Sequence, residues 1–189
     1  MTLTKLGRAT GTEMAVSLIN SWDEYDRDHE HLRDVEVLRR WLRGNGFLQA
    51  ADAVSEADVE PARELRSRLT AAFDAHTQAA AVEALNALVE ESGTPPRLER
   101  DAESWAFRSW PQEAEGLAFL APYAALGLLE VIGDGGWERF GRCDGSPCRC
   151  VYIDRSRNRS RRFCCQLCAD RVAQADYRRR RRSTGPARS

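Results

Sequence analysis

The chain has 189 residues, 42% hydrophobic and 30% charged, with a formal net charge of -1, a size that allows one ordinary domain and at most a small attached module. No apolar run approaches the roughly 20 residues that span a bilayer, and the opening MTLTKLGRATGTEM lacks the apolar core of a secretory signal. A cytoplasmic protein with no membrane partner is therefore expected, in a compartment where thiols stay reduced. The near-neutral total hides two halves: residues 1–138 hold 13 Lys+Arg against 25 Asp+Glu, and residues 139–189 hold 15 Arg against 4 Asp.

The first 136 residues read as mainly helical. EMAVSLIN is a short apolar segment. DVEVLRRWLRGNG opens on an acidic residue, places Val37 and Trp41 four apart and stops at Gly44. EPARELRSRLTAAFDAH has Pro61 near its start and Leu65, Leu69 and Phe73 on one helical stripe. AAAVEALNALVEES sets Val82, Leu85 and Val89 on one face before Gly93. TPPRLERDAESWAFRSW breaks the period, and Leu98 with Trp105 and Phe107 predicts two short extended segments or a β-hairpin. QEAEGLAFLAPYAALGLLEVIGDGG returns to helix, kinked or divided near Pro122, and Asp134-Gly135-Gly136 marks a boundary. The apolar stripes are read as packed core. His29 and His31 in DRDHEH could ligate a metal, but a solvated loop explains them better, and His76 is read as a helix-surface or core residue.

All six cysteines lie between Cys143 and Cys168. Cys143 and Cys148 form C-x4-C, and after fifteen residues Cys164 and Cys168 form C-x3-C. Two such pairs predict one structural zinc ion held tetrahedrally by a knuckle or β-hairpin and a following helix. Gly145 and Pro147 favour a tight knuckle, and a helix starting near Cys164 would put the second pair on one face. Such a site contributes on the order of 10–16 kcal/mol of apparent binding energy, enough to fold a small module. Cys150 and Cys165 are surplus: spare thiols beside the metal, or parts of a redox switch that releases it. Four cysteine ligands leave no open position for water, and no Ser/His/Asp order, phosphate loop or H-E-x-x-H is present, so an enzyme is not expected.

Arginines crowd the same region, which points to a polyanion partner. If Arg155, Arg157, Arg159 and Arg161 occupy an extended segment, they project to one face, with Arg162 beside them. ADRVAQADYRRRRR reads as a basic helix with Arg171, Gln174, Arg178 and Arg182 on one stripe and Arg181 adjacent. Arg can read guanine and Gln adenine in the major groove, while the other arginines hold phosphates. A helical DNA reader fits better than an RNA binder, since Tyr177 alone offers little stacking.

The stretch CDGSPCRCVYIDRSRNRSRRFCCQLCADR resembles the CGNR zinc finger, through Cys143, Cys148, Asp154, Ser156, Arg157, Arg161, Arg162, Cys164, Cys168 and Arg171. Upstream, LINSW, ARELRSRLTAAF, LNALV and PRL resemble, in order, the signatures of the ABATE domain that accompanies this finger. Two departures stand out: Ala169-Asp170 replaces the name-giving Gly-Asn, and Ser17 and Ser21 replace the Asp and Thr that flank the Asn of the first signature. The resemblance implies stress-related transcription regulators. The expected architecture is a helical regulatory domain over 1–136, a zinc finger with a basic helix over 137–182 and a disordered tail over 183–189. The expected function is zinc-dependent DNA binding that controls transcription. The N-terminal domain would bind a small-molecule effector, form a homodimer or touch the transcription machinery. The competing expectation is a protein-interaction or redox-sensing zinc module.

Overall fold

Side-chain caps start three of the helices. The structure, a computed structural model, describes residues 9–93, 97–100, 105–108 and 116–183. Helix α1 (Gly11–Ile19) opens on a capping box: the Thr10 hydroxyl accepts from the Glu13 N–H at 3.2 Å, and the Glu13 carboxylate accepts from the Thr10 N–H at 2.8 Å. Asp34 caps α2 (Val35–Gly44) by accepting from the Val37 N–H at 2.9 Å. A short α3 (Leu48–Ala53) follows, which no apolar stripe announces. Then come α4 (Val59–Asp74) and α5 (Gln78–Glu90), the latter capped by Thr77.

The expected hairpin is present: β1 (Arg97–Arg100) pairs antiparallel with β2 (Trp105–Arg108), Leu98 opposite Phe107. Helix α6 (Leu120–Gly135) runs undivided through Pro122. The proline sits in the first turn, where a missing N–H removes no intrahelical bond. A second antiparallel pair, β3 (Phe140–Arg142) with β4 (Val151–Ile153), precedes the last helix α7 (Gln166–Ser183). The tail expected to be disordered falls, beyond Ser183, outside the described residues.

The core forms where α1, α4, α5 and α6 pack. Leu65 and Leu69 of the expected stripe are buried, while α5 turns slightly and buries Ala81, Leu85 and Leu88, leaving Val82 and Val89 half-buried. Helices α1 and α6 cross at glycines: a Cβ on Gly11 would sit 2.1 Å from the Tyr123 carbonyl oxygen, and one on Gly127 would sit 2.3 Å from the Thr12 nitrogen. The Thr12 hydroxyl donates to the Gly127 carbonyl across this crossing at 2.7 Å.

The β3–β4 hairpin belongs to the same core. Val151 is 1% exposed and Ile153 8%, and both cluster with the helical side chains. Phe140 stacks on Phe73 of α4 with ring centroids 4.5 Å apart. Each buried aliphatic side chain contributes about 1.5–3 kcal/mol, so the hairpin is seated by apolar packing as well as by any metal.

The loop joining α1 to α2 is tied down by Arg66, which is 8% exposed. Its guanidinium donates to both Glu30 carboxylate oxygens, at 2.8 and 2.5 Å, and to the Ser21 hydroxyl at 3.0 Å. Burial alone would raise Glu30, but Arg66 and the Leu32 N–H hold its carboxyl below the usual range. His29 is exposed and His31 faces Asp26 at 3.5 Å; neither joins a metal-ligating group among the described residues. His76 is exposed in the link between α4 and α5.

Candidate metal centre and nucleic-acid interface

The link between β3 and β4 is the knuckle. Its neck is closed by the Cys143 N–H donating to the Cys150 carbonyl at 2.9 Å, and its tip by the Cys148 N–H donating to the Gly145 carbonyl at 2.8 Å. A Cβ on Gly145 would lie 3.1 Å from the Cys168 Cβ, so a small residue lets the knuckle approach α7. Ser146–Pro147 is a cis peptide. Cys164 precedes α7 and Cys168 lies in its first turn, where free N–H groups favour a thiolate.

The sulfurs of Cys143, Cys148, Cys164 and Cys168 all lie within 4.8 Å of one another. Cys148 to Cys164 and Cys164 to Cys168 are both 3.7 Å. A tetrahedron with Zn–S of about 2.3 Å has edges of about 3.8 Å, so this donor set fits four-coordinate zinc. Cys143, Cys148 and Cys168 are buried and Cys164 half-buried. Burial first, then the Cys143 and Cys165 thiols, push Cys168 up to about 12, and burial and the same cluster push Cys164 further in that direction. Cys143 is held below its usual value, because backbone N–H groups at Cys164 and Gly145 outweigh its burial. Only a central dication lets all four ionise together. The four cysteines are thus positioned to bind one zinc ion.

All six cysteines are free. Cys150 is half-buried beside the cluster, pushed up to about 12 by burial first and then by Cys148 and Asp23. Cys165 is exposed, and the backbone at Cys168 holds its thiol below the usual range.

The arginine-rich stretch after β4 is not extended. Asp154, 4% exposed, accepts from the Ser156 N–H and the Arg161 N–H, each at 2.8 Å, and so closes residues 155–161 into a turn. The Ser156 hydroxyl accepts from the Ser160 N–H at 3.2 Å, and Arg159 takes a positive φ of 48°. A carboxylate that bonds its own chain competes with extended backbone, which removes the expected one-sided row of arginines. Side-chain bonding from Ser156, then the two backbone N–H groups, hold Asp154 below the ordinary carboxylate range.

The candidate arginines then sort by what they touch. Arg161 donates to the Phe163 carbonyl at 2.9 Å and to the Cys164 carbonyl, and lies 4.6 Å over the Tyr152 ring. Arg162 donates to Asp144 at 2.8 Å. Arg159 reaches Glu138 at 3.7 Å. These three build the finger. Arg155 and Arg157 are both exposed on the turn. On α7, Arg171 is half-buried with its guanidinium 3.5 Å from the Tyr25 ring centroid, while Gln174, Arg178, Arg181 and Arg182 are exposed. Asp170, which replaces the signature asparagine, accepts from the Gln166 side chain at 2.8 Å.

Three links that the candidate residues did not anticipate join this region to the helices. The Asn20 amide donates to the Val151 carbonyl at 3.0 Å and accepts the Val151 N–H at 2.7 Å, completing the outer edge of β4. Arg142 reaches Asp74 at 2.6 Å, and Arg149 approaches Glu24 at 3.9 Å. The only signal for Asn20 was the apolar-Asn pattern of LINSW. Its flanking serines are also used: Ser17 accepts from the Trp41 indole at 2.8 Å, and Ser21 bonds Arg66.

A helical domain carrying a four-thiol knuckle-and-helix centre defines a zinc-finger protein. Two family models match: one described as "Putative stress-induced transcription regulator", ABATE, over residues 12–135, and the CGNR zinc finger over residues 139–181. The chain belongs to the ABATE family, in the form that carries a CGNR zinc finger. No curated protein matches it. Among the described residues no helix is long and apolar enough to cross a membrane.

Proposed function

We propose that this zinc-binding regulator binds DNA through α7, with the finger fixing the helix base and the helical domain acting as the regulatory module. The observation that carries the reading is the division among the arginines. Arg159, Arg161 and Arg162, near the metal, are held by carbonyls and carboxylates of the finger itself, while Arg178, Arg181 and Arg182 are exposed on a helix whose 18 residues span about 27 Å. That length exceeds the roughly 12 Å width of the major groove. Gln174 and Arg178 are the base-reading residues. Arg181 and Arg182, with Arg155 and Arg157 from the turn, hold phosphates. Arg171 stays on Tyr25 and sets the angle of the helix. Zinc supplies rigidity at the helix base, not a reacting position.

Fluorescence-anisotropy binding of the zinc-loaded chain to a random duplex library, across a salt series and with sequencing of the bound fraction, tests this. Binding should weaken steeply with salt, disappear on chelation and enrich a motif. Alanine at Arg178, Arg181 and Arg182 together should flatten the log–log slope by about 0.9 for each phosphate no longer neutralised. A zinc-loaded chain that binds no duplex at low salt overturns the proposal.

A further inference from the structure

Cys150 is left over by the four-thiol centre, yet it does not stand alone. Its sulfur, the Cys148 sulfur and a carboxylate oxygen of Asp23 all lie within 4.8 Å of one another. Asp23 comes from the loop after α1, and the two cysteines come from the arm that enters β4. Two thiols and a carboxylate converging on one point form a mixed donor set of the kind that borderline-soft divalent ions accept. Arg149, between the two cysteines, turns to Glu24 instead, at 3.9 Å. A thiolate bound to one metal keeps lone pairs for a second, so Cys148 can serve both centres.

We propose a second, weaker site for a soft divalent cation such as Zn²⁺ or Cd²⁺, formed by Asp23, Cys150 and a bridging Cys148, with water completing four-coordination. The site spans the two halves of the chain. The same loop touches the finger at three other points, through Asn20 on Val151, Glu24 near Arg149 and Tyr25 on Arg171. A cation at Asp23 adds a fourth, and so fixes the loop that carries Tyr25 against the base of α7. Occupancy of this site would then be felt where the basic helix leaves the finger. That regulatory consequence rests on the DNA-binding reading, whereas the site itself does not.

The test is a titration of the zinc-loaded, reduced full-length chain with Cd²⁺. Total metal per chain is counted by native mass spectrometry, and the sulfur-to-cadmium absorption is followed in parallel. Simple exchange keeps one ion per chain; the second site raises the count to two. Cys150→Ser should return the count to one. Asp23→Asn should weaken the second ion by more than the roughly 10–100-fold that a merely supporting group is worth, with the first ion unaffected. Cys165→Ser, at an exposed thiol, should keep both ions. A wild-type chain that never exceeds one ion overturns the proposal, as does a second ion that survives Asp23→Asn unchanged. A purified chain that holds no metal at all refutes the four-thiol centre as well.

Discussion

Asn20 should be the joint that matters most between helices and finger. Val151 is 1% exposed, and its outward N–H and carbonyl find their partners in one amide, at 2.7 and 3.0 Å. Asn20→Ala strands one donor and one acceptor. Each unsatisfied buried group costs about 1–3 kcal/mol. Asn20 itself is half-buried, so water can recover part of the loss, and the expected total is about 2–3 kcal/mol. For a chain of this length that lowers the melting temperature by roughly 4–12 °C. Thermal unfolding of the zinc-loaded protein measures the total, and hydrogen exchange at the Val151 amide shows where the loss occurs. Asn20→Asp keeps the accepting half and loses the donating half, so it should not restore wild-type stability. If Asn20→Ala is within about 0.5 kcal/mol of wild type and Val151 exchanges no faster, the edge-completion argument is wrong.

Gly127→Ala should cost at least the roughly 1–3 kcal/mol typical of overpacking, because its methyl would meet the Thr12 backbone at 2.3 Å; an unchanged urea midpoint would contradict the close crossing. Cys164→Ser should remove the tightly held zinc of the four-thiol centre and abolish duplex binding, while most of the far-UV helical signal of α1–α6 survives; zinc held as tightly as in the wild type would show that another thiol replaces it. Glu30→Gln tests the Arg66 pair through pH. The folded carboxyl is lowered, so the pair's contribution is fully present above the unfolded value of about 4.3 and is lost as pH falls through the folded value. The gap between wild type and Glu30→Gln, about 1–3 kcal/mol at neutral pH, should therefore close in acid. A gap that stays constant below roughly pH 4 would remove Glu30 from the acid response.

The elements that could be read from the sequence are those with local causes. Asp34 lies beside the helix it starts, and the Leu65–Leu69 stripe reports its own burial. Cysteine spacing likewise encodes a local donor geometry, so the four-thiol centre was legible in the sequence. The features that were not legible share a different property. Whether Pro122 breaks a helix or begins one depends on where the first turn falls. Whether 155–161 is extended depends on Asp154 bonding seven residues ahead. The pairing of Asn20 with Val151 spans 131 positions and leaves no periodic trace. That Val151 and Ile153, on the basic side of the composition boundary at Gly136, sit in the helical core was equally hidden, because net charge says nothing about which apolar face covers which.

The charge division has a corresponding physical meaning. Part of the basic half is used to hold the acidic half: Arg142 meets Asp74 and Arg149 approaches Glu24. Arg171 lies over Tyr25 of the same acidic part. Others stay within the finger, with Arg162 on Asp144 and Arg179 on Asp176. Among the described residues, no carboxylate lies within ion-pair distance of Arg155, Arg157, Arg178 or Arg182. Fifteen arginines all neutralising phosphate would give a salt slope near -13, at about -0.9 for each. Four to six available ones give a slope of roughly -4 to -5. The slope therefore separates two mechanisms with the same formal charge. Detachment of the finger from the helices on binding, releasing Arg142, Arg149 and Arg171, would add about -2.7 and move the slope to roughly -6 to -8. A value of roughly -4 to -5 would mean that it binds as it stands, seated on the core through Val151 and Ile153.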